Sequence, residues 1–136
     1  MASAHAHAEL PRNQALVYSA LSDAGGPLSA YEILDRLRGA GLRAPLQVYR
    51  ALEKLREAGL VHRLESLNAF VACCHPHEGH HESRAFAICD KCGVVAELED
   101  ERVAAELESL ADRAGFASRT AVIELHGLCG ACAKAA

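Results

Sequence analysis

The chain has 136 residues, a formal charge of −4, 51% hydrophobic residues and six cysteines. That length holds one domain or two small ones, since domains typically run about 100–150 residues. No apolar run approaches the ~20 residues of a membrane helix, and Met1–Ala8 lacks the basic start and apolar stretch of a signal peptide, so the expected location is the cytoplasm.

The first half reads as helical. Asn13 to Leu21 carries Leu16, Val17, Ala20 and Leu21 at helical spacing, and Gly25-Gly26-Pro27 ends it. Ser29-Ala-Tyr-Glu32 is a capping-box signature, opening a helix to about Arg38 with Ile33, Leu34 and Leu37 inward. Gly39-Ala-Gly41 is a turn. Pro45 suits the first position of a third helix, which stops at Gly59 and is expected to hold Leu46, Tyr49, Leu52 and Leu55 on one side. Short strands at Leu60–Leu64 and Ala69–Ala72 follow, joined by Glu65-Ser-Leu-Asn68. Three helices and a hairpin make a winged helix-turn-helix pattern over 1–72.

The stretch 73–83, with its loop Cys74–Gly79, is expected to be a hinge. Beyond it, 84–136 carries strand signals at Ala85–Cys89 and Val94–Leu98. A helix over about Glu101–Ala114 has Val103, Leu107 and Leu110 as its inward face and Gly115 as its stop. A last strand covers about Ala121–Leu125. The fold class is therefore α+β: a winged-helix domain followed by a small α/β domain.

Charge divides along the same line. Residues 1–72 hold eight Lys/Arg against seven Asp/Glu, and residues 73–136 hold six against eleven. Between Arg36 and Arg63 seven basic residues face only Glu53 and Glu57, a local net of +5. Such asymmetry points to a nucleic-acid partner that the total charge conceals. All six cysteines lie at or after Cys73. A reducing cytoplasm disfavours a disulfide framework, so ligand, catalyst or buried-thiol roles come first.

Cys89-Asp-Lys-Cys92 and Cys129-Gly-Ala-Cys132 form the strongest chemical signal. One C-x-x-C could be a redox pair, but two in one chain supply the four thiolates of a tetrahedral, structural zinc site. A second cluster holds His62, Cys73, Cys74, His75, His77, His80 and His81, with Glu97 downstream. A solvated loop side chain is the default for each, yet hairpin pairing brings His62 and Cys73 together. Thiolate, imidazole and carboxylate together suit Zn²⁺.

The third signal is the face carrying Gln47, Arg50 and Lys54. In isolation it would be an ordinary solvated face. In a helix-turn-helix it enters the major groove, where arginine pairs bidentately with guanine. Lys54, Arg36, Arg38, Arg43 and Arg63 suit phosphates. Tyr31 could touch a phosphate or a thymine methyl, or pack half-buried.

These residues together resemble the ferric uptake regulator superfamily of bacterial metal-sensing repressors. The motifs that carry the resemblance are Leu46-Gln-Val-Tyr-Arg-Ala-Leu-Glu53, Gly59-Leu-Val-His62, Cys89-x-x-Cys-Gly93 and the terminal Cys-x-x-Cys. His62-Arg-Leu-Glu-Ser-Leu-Asn68, Cys73 and Ile123-Glu-Leu-His-Gly-Leu-Cys129 make it most similar to the zinc uptake regulator branch. The resemblance implies a homodimer built on the second domain, and a repressor of zinc-acquisition genes. It implies structural zinc at Cys89, Cys92, Cys129 and Cys132, and a sensory zinc held by His62, Cys73, Glu97 and a histidine of the 80–81 pair. Counting forward from Cys73 selects His81, with His80 as its substitute, whereas counting back from Cys89 lands on Glu82. Arg50 and Tyr31 fall on operator-contacting positions. His126 gathers no convincing ligand set.

The expected partners are double-stranded operator DNA and a second copy of the chain, with one structural and one regulatory Zn²⁺ per chain and no membrane or small-molecule substrate. Other readings are an iron, manganese or peroxide sensor of the same superfamily, a zinc-buffering module, and a zinc-binding thiol enzyme. The enzyme lacks support: no catalytic acid or base stands out, there is no H-E-x-x-H motif, and a Cys₄ site has no open coordination position.

Overall fold

The computed structural model describes residues 10–73 and 83–135. The chain folds as two compact units, Met1–His77 and Glu78–Ala136; positions 74–82 of the expected hinge lie outside the described residues.

Unit 1 begins with α1 (Arg12–Ala24), closed by Gly25 at φ 66°, a left-handed geometry that suits glycine. Arg12 donates from Nη2 to the carbonyl of Ala40 at 2.8 Å, tying the start of α1 to a distant turn. Helix α2 (Ala30–Leu37) opens on the expected capping box. The Glu32 amide donates to Ser29 Oγ, and the Ser29 amide donates to Glu32 Oε1, both at 3.1 Å. Replacing Ser29 with alanine is expected to lower the stability of unit 1 by about 1 kcal/mol, read as a lower thermal midpoint. A 3₁₀ turn (Arg38–Ala40) then reaches Gly41 at φ 105°.

Helix α3 (Pro45–Glu57) has proline at its first position and no hydroxyl or carboxylate cap at Ala44. Gln47 substitutes for one: its Oε1 accepts from the amides of Arg43 and Ala44 at 3.0 and 3.2 Å. The helix ends in a Schellman arrangement. Leu60 N–H donates to Leu55 and Gly59 N–H to Arg56, with Gly59 at φ 75°.

The buried face of α3 is Val48, Ala51, Leu52 and Leu55. This corrects the expected stripe: Leu46 is 57% and Tyr49 43% exposed. The expected set steps by three residues, and at about 100° per residue nine residues turn the helix through about 180°. Leu46 and Leu55 therefore point to opposite sides. The observed set follows the i, i+3, i+4, i+7 rule.

The wing pairs β1 (Val61–Leu64) antiparallel with β2 (Ala69–Ala72), with His62 opposite Val71. Asn68 takes the left-handed position at φ 48°. Leu28 and Phe70 exchange backbone hydrogen bonds at 3.0 and 2.8 Å, joining the wing to the segment before α2. One core of Val17, Leu21, Ile33, Leu34, Val48, Leu52, Leu55 and Phe70 holds the three helices and the hairpin together.

Unit 2 is a three-stranded sheet in the order β4–β3–β5, made of β3 (Ser83–Cys89), β4 (Val95–Leu98) and β5 (Ala121–Gly127). Strand β3 is antiparallel to β4 and parallel to β5. The parallel crossover contains α4 (Glu101–Arg113), capped by Asp100, whose carboxylate accepts from the Arg102 amide at 2.8 Å. The Arg102 guanidinium, 3.4 Å from Asp100 Oδ2, and then the Arg102 amide hold the Asp100 carboxyl below its ordinary range. A last helix, α5 (Gly130–Ala135), follows β5 and was not expected from the sequence.

The inward face expected for Val103, Leu107 and Leu110 is not buried in the single chain: no residue of α4 is. Val103 is 44% and Leu110 56% exposed. The amphipathic pattern is present, but Leu107 is only half-buried and Val103 and Leu110 stay exposed.

Candidate functional site

The four cysteines of the paired motifs come together. Cys89 ends β3 and Cys92 lies in the turn beyond it, which closes with the Gly93 amide donating to the Cys89 carbonyl at 3.0 Å and Gly93 at φ 79°. Cys129 directly precedes α5 and Cys132 lies within it. The Asp90 amide donates to the Gly127 carbonyl at 2.8 Å, continuing the β3–β5 pairing and setting the two motifs side by side. All four Sγ atoms lie within 4.8 Å of one another, and none is in a disulfide.

The spacing fits zinc. A tetrahedron with Zn–S bonds of about 2.3 Å places its sulfurs about 3.8 Å apart, and Cys92 Sγ lies 3.8 Å from Cys129 Sγ. The thiols are electrically unequal. Hydrogen bonds from the Cys92 and Cys129 backbone amides bring the Cys89 thiol down to about 6. The neighbouring sulfurs of Cys129 and Cys89 push Cys132 up to about 12. Four thiolates this close repel one another, and a divalent cation at their centre is the partner that lets all four ionise.

In unit 1, the donor atoms of His62 and Cys73 lie within 4.8 Å of each other. Cys73 follows β2, and its amide donates to the Leu60 carbonyl at 2.8 Å. That bond carries the hairpin one step beyond β2 and brings Cys73, which is buried, beside His62. In unit 2, Glu97 stands on β4 opposite Phe86, and its Oε1 pairs with Arg84 Nη1 at 3.1 Å. Both side chains are more than nine-tenths buried, so the guanidinium compensates a carboxylate that water barely reaches. His80 and His81, like Cys74, His75 and His77, lie outside the described residues. His126 Nδ1 pairs with Asp90 Oδ1 at 3.4 Å, and among the described residues no third donor gathers with them.

The basic surface of unit 1 is largely open. Arg50, Arg43 and Arg36 are exposed, and Tyr31 is 62% exposed rather than packed. Lys54 pairs loosely with Glu57 at 3.5 Å and Arg38 with Asp35 at 3.1 Å. Exposed pairs of this kind are worth about 0–1 kcal/mol and can be exchanged for phosphates. Two candidates hold internal partners as well. Arg63 donates from Nη2 to Asn68 Oδ1 at 3.2 Å and lies 3.5 Å from Glu65, bracing the wing. Gln47 spends its amide oxygen on the start of α3. Leu46 and Tyr49 share the exposed side of α3 with Arg50. A helical wheel drawn at 3.6 residues per turn would have found them.

The sequence model of the ferric uptake regulator family matches residues 10–126. The zinc uptake regulation protein of Escherichia coli K12 is 43% identical over 110 residues, 80% of this chain. The match spans 64% of that relative's length, a little under two thirds. A zinc uptake regulator complexed with zinc and DNA superposes with a TM-score of 0.88 at 43% identity, over 93% of this chain and 85% of that one. The holo form of XcZur superposes with a TM-score of 0.85 at 48% identity, over 92% of this chain and 86% of that one. With its winged-helix core, its Cys₄ cluster and a family match over most of its length, the chain belongs to the ferric uptake regulator family.

Proposed function

We propose that this chain is a cytoplasmic, zinc-responsive transcriptional repressor that binds palindromic operator DNA of zinc-acquisition genes as a homodimer. The observation that carries the reading is the joint presence of an open basic recognition helix and, on the adjoining wing, a half-buried His62 beside a buried Cys73. The relative solved with zinc and DNA supports it. No catalytic step belongs to this reading.

Cys89, Cys92, Cys129 and Cys132 would hold the structural Zn²⁺, fastening the C-terminal segment to the end of β3. His62, Cys73, Glu97 and His81, with His80 as the substitute, would hold the regulatory Zn²⁺. Cys73 favours zinc over the iron or manganese of related sensors, because a thiolate is a soft ligand. A cation bound there ties thiolate, imidazole and carboxylate together and so favours one arrangement of the two units. By linkage, the gain in DNA affinity on binding zinc equals the gain in zinc affinity on binding DNA, typically about 1–3 kcal/mol, and cannot exceed the difference in zinc affinity between the arrangements.

The homodimer is supported by the uncovered apolar side chains of unit 2. Val103 and Leu110 of α4 and Val122, Leu125 and Leu128 around β5 are all exposed. A two-fold dimer presents two copies of α3 to half-sites about 10 bp apart or a multiple of that. No described helix is long and apolar enough to cross a membrane. Arg50, Tyr31, Gln47, Lys54, Arg43 and Arg63 are the proposed DNA-contacting residues.

Arg50→Ala is expected to weaken operator binding by about 1–3 kcal/mol and to relax discrimination at one base position. Competition between duplexes differing at single positions measures this. An equal loss on every sequence would make Arg50 a phosphate contact.

A further inference from the structure

We propose that Leu46 is a specificity-determining residue that reads a thymine methyl group at the major-groove edge of each half-site. The inference rests on the operator-binding reading above and adds a base preference at a defined point of the helix.

Leu46 is the second residue of α3, and more than half of its side chain is open to solvent. It neither caps the helix nor packs against the core. A helix start with its N–H groups facing water favours a polar or acidic residue there, through capping and the helix dipole. Here the first turn has no acidic residue and exposes a branched apolar side chain instead. Where a local preference is broken without a packing reason, a site of function is the first explanation to try.

Two neighbours narrow what the side chain meets. Gln47 is the polar residue best placed to reach a base edge from this turn, but its amide oxygen is turned back onto the Arg43 and Ala44 amides. Leu46 therefore leads the helix end. Tyr49, Arg50 and Glu53 follow it at i+3, i+4 and i+7 on one exposed strip, so Leu46 lies in line with the groove-facing side chains. N-terminal residues of a recognition helix are those that contact base edges. An isobutyl group offers no hydrogen bond. The major-groove feature it can distinguish is the C5-methyl of thymine.

The test begins by selecting duplexes from a random pool with the zinc-loaded wild-type protein. Each thymine of the selected half-site is then replaced by deoxyuridine, which removes only the methyl. One thymine per half-site should lose about fourfold in affinity on replacement, and about 15-fold when both half-sites are changed, from ~0.8 kcal/mol per buried methyl-sized group. Leu46→Ala should bind the thymine and deoxyuridine duplexes equally, and Leu46→Met should restore the difference. Melting temperature should not change in either variant, because the position is exposed.

A deoxyuridine penalty as large in Leu46→Ala as in wild type overturns the inference. So does a selected half-site without a thymine dependence, or a Leu46→Ala loss that is equal on operator and random duplex. Those results leave the repressor reading standing. Selection of no duplex by the zinc-loaded wild type removes both.

Discussion

Cys92→Ser is expected to cost unit 2 its fold, and with it the dimer. Unit 2 has little else to hold it. Among the described residues its buried apolar side chains are Phe86, Ile88 and Cys89, all from β3, and α4 leaves Val103 and Leu110 exposed. A core this small does not offset the conformational entropy of ordering a three-stranded sheet. A structural zinc supplies apparent binding energies of about 10–16 kcal/mol in small metal-dependent domains, and that energy is folding energy. Three thiols cannot replace four. Cys92→Ser should therefore contain one zinc fewer per chain and lose the cooperative transition of unit 2, while unit 1 keeps its own core and melts separately. Metal analysis, calorimetry and size-exclusion chromatography measure these outcomes. A Cys92→Ser protein as stable and as dimeric as wild type would refute the structural role of the Cys₄ cluster.

Cys73→Ser is expected to separate zinc sensing from folding. Cys73 is anchored by its backbone, through the amide bond to Leu60, so the hairpin survives the change of one side-chain atom. What disappears is the thiolate beside His62. Zinc content should fall by one ion per chain, the dimer should persist, and zinc should no longer strengthen operator binding. The loss should equal the whole coupling, about 5–150-fold in affinity. Unchanged zinc-dependent DNA binding would remove Cys73 from the sensory set. The two substitutions thus fail in different ways: Cys92→Ser by loss of structure, Cys73→Ser by loss of response.

The parts of the fold legible in the sequence were those fixed by neighbouring residues. The Ser29–Glu32 capping box, Pro45 at the head of α3, the stop at Gly59 and the wing hairpin each depend on a few adjacent side chains and backbone groups, and each is present. The Cys₄ cluster was legible for a similar reason, since two short motifs each bring a pair of thiols to one point. Faces were harder. On α3 the apolar residues at 46 and 49 lie outside the buried arc because the helix advances by 3.6 residues per turn, not three. Leu46, 57% exposed, is the residue proposed above to contact a base. On α4 the pattern marks an apolar face, but it does not reveal that this face stays unburied in the single chain. The ion pair between Arg84 and Glu97 was also invisible, because it depends on the register of β3 against β4. The 80–81 histidine pair lies outside the described residues, so its choice of ligand stays a proposal.

Zinc and operator DNA are expected to bind cooperatively through one shared arrangement of the chain. The most direct measurement is zinc affinity at the proposed regulatory site, assigned by its loss in Cys73→Ser, with and without a saturating palindromic duplex selected by the zinc-loaded protein. DNA affinity is measured in parallel with and without that zinc. The same factor, about 5–150-fold, is expected in both directions, because linkage requires it. Equal DNA affinity with the regulatory site empty and filled would refute the zinc-responsive mechanism.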